Sequence, residues 1–207
     1  MGKNSDDQPS QSMRVRAWYV VFYCVVWFVS HLFFRFRVTG LEYVPAGASV
    51  ICANHSSNWD IIFLTVALGA KKPLVFTPKT SLKKVPVLGV AMNLINVVWI
   101  DRAKPADAAP VRAMLDALKN GYPVVMFPEG RRLKESETEA AKTGAIMLAS
   151  RSGAPIVPVH IPRTKRFFTR QLIQFGEAYA LDNIRGADAR RNAADALMAR
   201  INMHSEN

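Results

Sequence analysis

His55 and Asp60 stand in the stretch Asn54-His55-Ser56-Ser57-Asn58-Trp59-Asp60, with four residues between them. An imidazole and a carboxylate so placed can act as a base and its orienting partner, the minimum needed to take a proton from an alcohol. A second group is Phe127-Pro128-Glu129-Gly130-Arg131-Arg132, where an apolar run leads straight into a carboxylate, a glycine and two guanidiniums. Pro128 ends a strand ladder, and Gly130 permits a turn closed to other residues. Arg131 or Arg132, displayed there, can bind phosphate through two parallel hydrogen bonds. Val98-Trp99-Ile100-Asp101-Arg102 delivers Arg102 in the same way, and Lys142 opens the small-residue segment that continues Thr143-Gly144-Ala145. Each group also has an ordinary reading: a structural histidine, a turn with a surface ion pair, a solvated strand end, a packing helix with one exposed lysine.

These residues need elements to hold them. Val50 to Ala53 is apolar and reads with Ser49 as a strand, which puts His55 where a buried strand ends. Ser56, Ser57 and Asn58 are good helix-start residues, and Asp60 to Leu68 reads as the helix, ending at Gly69. A straight helix would turn His55 and Asp60 roughly 140° apart, so a strand–turn–helix junction is required to join them. Further strands are expected at Leu74–Thr77, Val97–Ile100, Val124–Phe127 and Ile156–Ile161. Leu172–Phe175 and Ala178–Leu181 look hairpin-like around Gly176-Glu177. Helices are expected at Val87–Leu94, Asp107–Lys119, Glu139–Ser150 and Ala187–Ile201. The alternation predicts an α/β domain with a mixed, largely buried sheet flanked by helices.

The chain has 207 residues, enough for one cored domain and an appendage. Its net charge of +11 suggests an anionic partner such as phospholipid head groups, a phosphorylated substrate or an acidic carrier. Cys24 and Cys52 read as small buried residues and point to a reducing, cytoplasmic setting. His31, His55, His160 and His204 are scattered without clustered cysteine or carboxylate partners, so no metal site is expected. No zinc spacing, RNA-binding aromatic signature or basic helix supports nucleic acid.

Residues 1–12 are polar and read as disordered, residues 13–37 as a membrane-anchor segment, and residues 38–207 as the functional domain. Ala17 to Phe34 is apolar except for Ser30 and His31 and is flanked by arginines. As a helix it would be about 27 Å long, close to the hydrocarbon thickness. An anchor that spans or dips into the bilayer is expected, with the domain on the cytoplasmic face.

Taken in order, the motifs resemble those of the glycerolipid acyltransferase family, of the 1-acyl-sn-glycerol-3-phosphate acyltransferase type. Asn54, His55 and Asp60 match its first motif, Ile100, Asp101 and Arg102 its second, Phe127 to Gly130 with Arg132 its third, and Val157-Pro158-Val159 its fourth. The likeness covers roughly residues 35–180. Arg131 stands where relatives carry a hydroxyl residue, and Asn96 where many have glycine. The resemblance implies transfer of a fatty acyl group from acyl-CoA or acyl carrier protein, as co-substrate and with no further cofactor, to the sn-2 hydroxyl of lysophosphatidic acid. It implies His55 as base, Asp60 as its partner, and direct attack without an acyl-enzyme. Arg102 and Arg132 are then the first choices for the acceptor phosphate, followed by Lys79, Lys142 and Arg131, with Glu129 and Gly130 organising the acceptor site. Arg163 to Arg170 mixes cations with Phe167 and Phe168 and reads equally as a membrane-facing loop or a solvated one. The alternatives are another lysophospholipid or an aminolipid acceptor, an inactive relative, or a membrane-tethered protein that binds anionic ligands.

Overall fold

Three apolar runs form parallel neighbours in the sheet: β2 (Val50–Ala53), β3 (Val124–Met126) and β4 (Ile156–His160). The computed structural model describes residues 8–70, 73–84, 92, 97–101, 103, 107–134, 137, 139–181 and 184–203. Among them the sheet has five strands in the order β1-β5-β4-β2-β3, with β1 at Arg35–Thr39 and β5 at Arg170–Phe175. Val50 lies opposite both Val124 and Ile156. β5 runs antiparallel to β4, with Val159 opposite Phe175, and β1 runs parallel to β5. The sheet is therefore mixed, as the sequence predicts.

Successive strand residues face opposite sides, and here each side meets helices. Ile51, Ala53, Val125, Val157 and Val159 join a core that includes Phe63 and Leu64 of helix α2 (Trp59–Leu68) and Tyr19 of helix α1 (Gln8–Phe33). Val50, Cys52, Val124 and Ile156 face α3 (Ala109–Lys119), α4 (Gly144–Ser152) and α5 (Ala187–Met203). Burial on both faces explains why these strands read as continuous apolar runs rather than as alternating ones.

Several expectations shift. Leu74–Thr77 and Val97–Ile100 extend the sheet only through single bridges, Val75 to Val124, Phe76 to Val97 and Lys79 to Ile100. The anticipated hairpin is absent: β5 pairs with β1 and β4, while Tyr179 bridges Ile156. α4 starts at Gly144 rather than Glu139, and Glu139, ahead of it, pairs with Arg131 and Lys142. Most of the expected helix at Val87–Leu94 lies outside the described residues. β1 is an edge strand whose basic residues gave no strand pattern, so part of the predicted anchor segment is sheet.

α1 begins at Gln8, inside the stretch expected to be disordered. No helix among the described residues is long and apolar enough to cross a membrane. α1 lies along the domain through a stripe at helical spacing: Tyr19, Phe22, Val26, Ser30 and Phe33. Its other side stays apolar and open, with Val21, Val25, Phe28 and Leu32 exposed, Phe28 to 67%. Those residues are what makes the segment apolar on all sides.

Candidate active site

β2, β3 and β4 point their carboxyl ends the same way and deliver Asn54-His55, Phe127-Pro128-Glu129 and Ile161-Pro162-Arg163 to one place. Such strand ends are the usual position for a site in an α/β sheet. Asn54 fixes the junction. Its side chain donates to the Ile161 carbonyl at 2.7 Å and accepts from the Ile161 N–H at 2.8 Å, replacing the next rung of the β2–β4 ladder.

His55 is then clamped through its backbone. Its N–H donates to Glu129 Oε2 at 2.7 Å, and its carbonyl accepts from the Leu133 N–H at 2.8 Å. The ring stacks on Phe127 at 4.1 Å between centroids and faces Asp60 through Nδ1, 2.8 Å from Oδ2. Asp60 sits in the first turn of α2, and its Oδ2 also accepts from the Ser56 and Ser57 N–H groups at 2.7 and 2.8 Å. The strand–turn–helix junction required by the sequence is present.

Asp60 is fully buried. Burial pushes its carboxyl pKa up. The hydrogen bond from His55, the Lys165 ammonium and the Ser57 amide outweigh that and hold it below its ordinary value. An ionised carboxylate only accepts, so Nδ1 carries the hydrogen and Nε2 is the nitrogen free to take a proton. Glu129 is buried too, and its Oε1 pairs with Arg163. Lys165 pairs with Asp60 Oδ1 and donates to Ser56 Oγ. Burial lowers the Lys165 pKa, against an opposing pull from Asp60.

The expected cations divide. Arg132 reaches the site rim, donating to Asn58 Oδ1 at 3.2 Å, and is exposed. Arg131 turns to Glu137 and Glu139. Lys142 is exposed, pairs loosely with Glu139 at 3.5 Å, and lays its stem over Gly130. Gly130 has φ +71°, and a Cβ there would stand 3.1 Å from that stem, so the turn needs glycine. Lys79 is exposed at the same end of the sheet, opposite Ile100. Arg102 lies outside the described residues.

Sequence reading gave Arg163 and Lys165 no place in the site. It assigned them to a loop facing membrane or solvent. Yet both follow a strand end, the rule that singled out Arg102 and Arg132, and Arg163 Nη1 is buried with no hydrogen-bond partner among the described residues. The loop's aromatic end does face outward: Phe167 and Phe168 are 55% and 72% exposed and contact Phe33 of α1.

The chain is similar in sequence and in fold to known proteins. A chloroplastic 1-acyl-sn-glycerol-3-phosphate acyltransferase of Arabidopsis thaliana is 33% identical over 135 residues, covering 64% of this chain and 37% of that protein. A 1-acyl-sn-glycerol-3-phosphate acyltransferase of Pseudomonas aeruginosa is 35% identical over 127 residues, covering 60% of this chain and 48% of that protein. The chain thus spans about half the length of these curated relatives or less. The fold is similar to the crystal structure of the 1-acyl-sn-glycerophosphate (LPA) acyltransferase from Thermotoga maritima, with a TM-score of 0.66 at 19% identity over 98% of this chain and 83% of that one. Residues 35–162 match the acyltransferase family itself, a span that holds the His55–Asp60 pair, Glu129 and the strands presenting them. The chain belongs to the acyltransferase family.

Proposed function

We propose that this protein moves a fatty acyl group from an acyl thioester, of coenzyme A or acyl carrier protein, to the sn-2 hydroxyl of 1-acyl-sn-glycerol 3-phosphate. The observation that carries this reading is Asp60 Oδ2 lying 2.8 Å from His55 Nδ1, which leaves Nε2 as the basic nitrogen. The acceptor oxygen attacks the thioester carbonyl while its proton passes to Nε2. The tetrahedral adduct then collapses, the carbon–sulfur bond breaks, and the imidazolium returns the proton to the departing thiolate. Asp60 holds the ring and stabilises the imidazolium. Arg132, with Arg102 and Arg163, supplies charge for the acceptor phosphate. The names of the relatives support this acceptor.

A covalent route through serine has little support. The Ser56 hydroxyl donates to the Arg163 carbonyl at 3.0 Å, and Ser57 Oγ accepts from the Trp59 N–H at 3.1 Å. Acyl transfer to lysophosphatidic acid, with each donor offered in turn, tests the reading. His55→Ala should lose about 10² to 10⁴ in rate, while Ser56→Ala keeps most of its activity. A folded but inactive Ser56→Ala protein would move the nucleophile to serine.

The reaction needs a lipid surface, and we place the exposed side of α1 with Phe167 and Phe168 against the cytoplasmic leaflet. Support comes from continuity: Phe167 stacks edge-on against Trp59, the residue before Asp60, at 6.4 Å. Replacing Phe167 and Phe168 together by serine should weaken co-sedimentation with anionic vesicles roughly tenfold. Unchanged binding would reassign the loop to solvent.

A further inference from the structure

Asp60 is held by more than the imidazole it orients. Oδ2 takes three donors: His55 Nδ1 and the amides of Ser56 and Ser57. Oδ1 faces Lys165, whose ammonium also donates to Ser56 Oγ. Both members of this ion pair are sealed from water, with the Lys165 side chain 5% and that of Asp60 0% exposed. Surface ion pairs contribute little, but removing one partner of a buried pair leaves an uncompensated charge.

On the acyl-transfer reading above, we propose that Lys165 is a positioning residue: it completes a buried ammonium–carboxylate–imidazole chain and sets the pH range over which His55 serves as base. Among the described residues, five charged groups surround His55. Asp60 comes from α2, Glu129 from the turn after β3, Arg163 and Lys165 from the segment after β4, and Arg132 reaches Asn58 at the rim. The buried ones cancel in pairs, Glu129 against Arg163 and Asp60 against Lys165. With Lys165 neutral, one negative charge is left beside the imidazole. That charge favours the imidazolium, so a larger share of His55 is protonated and idle at neutral pH. Oδ1 also loses its tether, so the carboxylate is held through Oδ2 alone. Lys165 is poorly placed as a phosphate ligand, since its ammonium is engaged by Asp60 and Ser56 and screened from the opening.

The test uses the full chain and two readouts. The ring signals of His55 are followed by NMR as a function of pH, and kcat/KM for acyl transfer is measured over the same range. In Lys165→Met the His55 midpoint and the acid limb of kcat/KM should both move up by roughly one pH unit. The KM for lysophosphatidic acid should stay within about twofold. Lys165→Arg should restore most of the wild-type midpoint. If Lys165→Met does not fold, Lys165→Gln removes the same charge while keeping a donor and carries the same expectations. A folded, neutral variant with an unmoved midpoint overturns the proposal, and so does a tenfold rise in acceptor KM at constant midpoint. The NMR titration needs no turnover, so a wild type that fails to acylate lysophosphatidic acid would sink the proposed function and leave Lys165 to be judged on His55 alone.

Discussion

Two sets of charged side chains share the carboxyl end of the sheet, and they are built differently. The inner set, Asp60 with Lys165 and Glu129 with Arg163, is buried or nearly so. Its carboxylates also hold the backbone N–H groups of His55, Ser56 and Ser57. The outer set is exposed: Arg131 with Glu137 and Glu139, Lys142 with Glu139, and Arg132 with the amide of Asn58. Inner pairs fix the position of one imidazole. Outer pairs fix little and can exchange a partner for a ligand. Charge alone does not separate the two roles; burial and backbone contact do.

The sharpest way to break this contrast is at Glu129. Its two oxygens hold the His55 N–H and the Arg163 guanidinium, so Glu129→Ala orphans an amide and a partly buried cation together. Loss of one partner of such a pair costs about 3 to 5 kcal/mol. Urea denaturation should show that loss, and kcat should fall at least tenfold as His55 shifts. A variant as stable as wild type would mean that the inner set is no more structural than the rim.

Much of this was legible beforehand, for identifiable reasons. Chemistry confined to one short segment could be read: His55 and Asp60 lie on either side of a strand–helix junction whose residue types announce it. The parallel strands could be read because burial on both faces leaves unbroken apolar runs. β1 could not, since an edge strand with Arg35, Phe36 and Arg37 has one wet side and no apolar run. α1 was legible as a helix, but its docking was not. Tyr19 and Val26 are no more apolar than Val25 and Phe28, and only the position of the rest of the domain decides which are buried. Lys165 was missed because its partner is 105 positions away by chain numbering, Asp60 to Lys165.

The second prediction concerns acid. The Asp60 carboxyl is held below its ordinary value of 3.8. A carboxylate depressed on folding contributes stability that is complete above the unfolded pKa and is lost as pH falls through the folded one. The wild type should therefore lose stability more steeply than Asp60→Asn as pH drops below about 4. Urea midpoints measured from pH 5 to pH 2 would show this. Parallel curves would mean that Lys165 and the two amides do not favour the ionised form.

The smallest effects belong to the rim, and there Arg131 and Arg132 can be compared directly. They are adjacent, equally charged and both exposed. Arg132 stands against Asn58, within the His55–Asp60 loop, whereas Arg131 is satisfied by two glutamates facing away from it. Arg132→Ala should raise the KM for lysophosphatidic acid about tenfold and lower kcat less, as expected when binding shared by ground and transition states is removed. Arg131→Ser should change neither by more than about twofold. Initial rates over a range of acceptor concentration decide the matter. If the two effects were exchanged, Arg131 would have to leave its glutamates on substrate binding, and Arg132 would be the idle member of the rim.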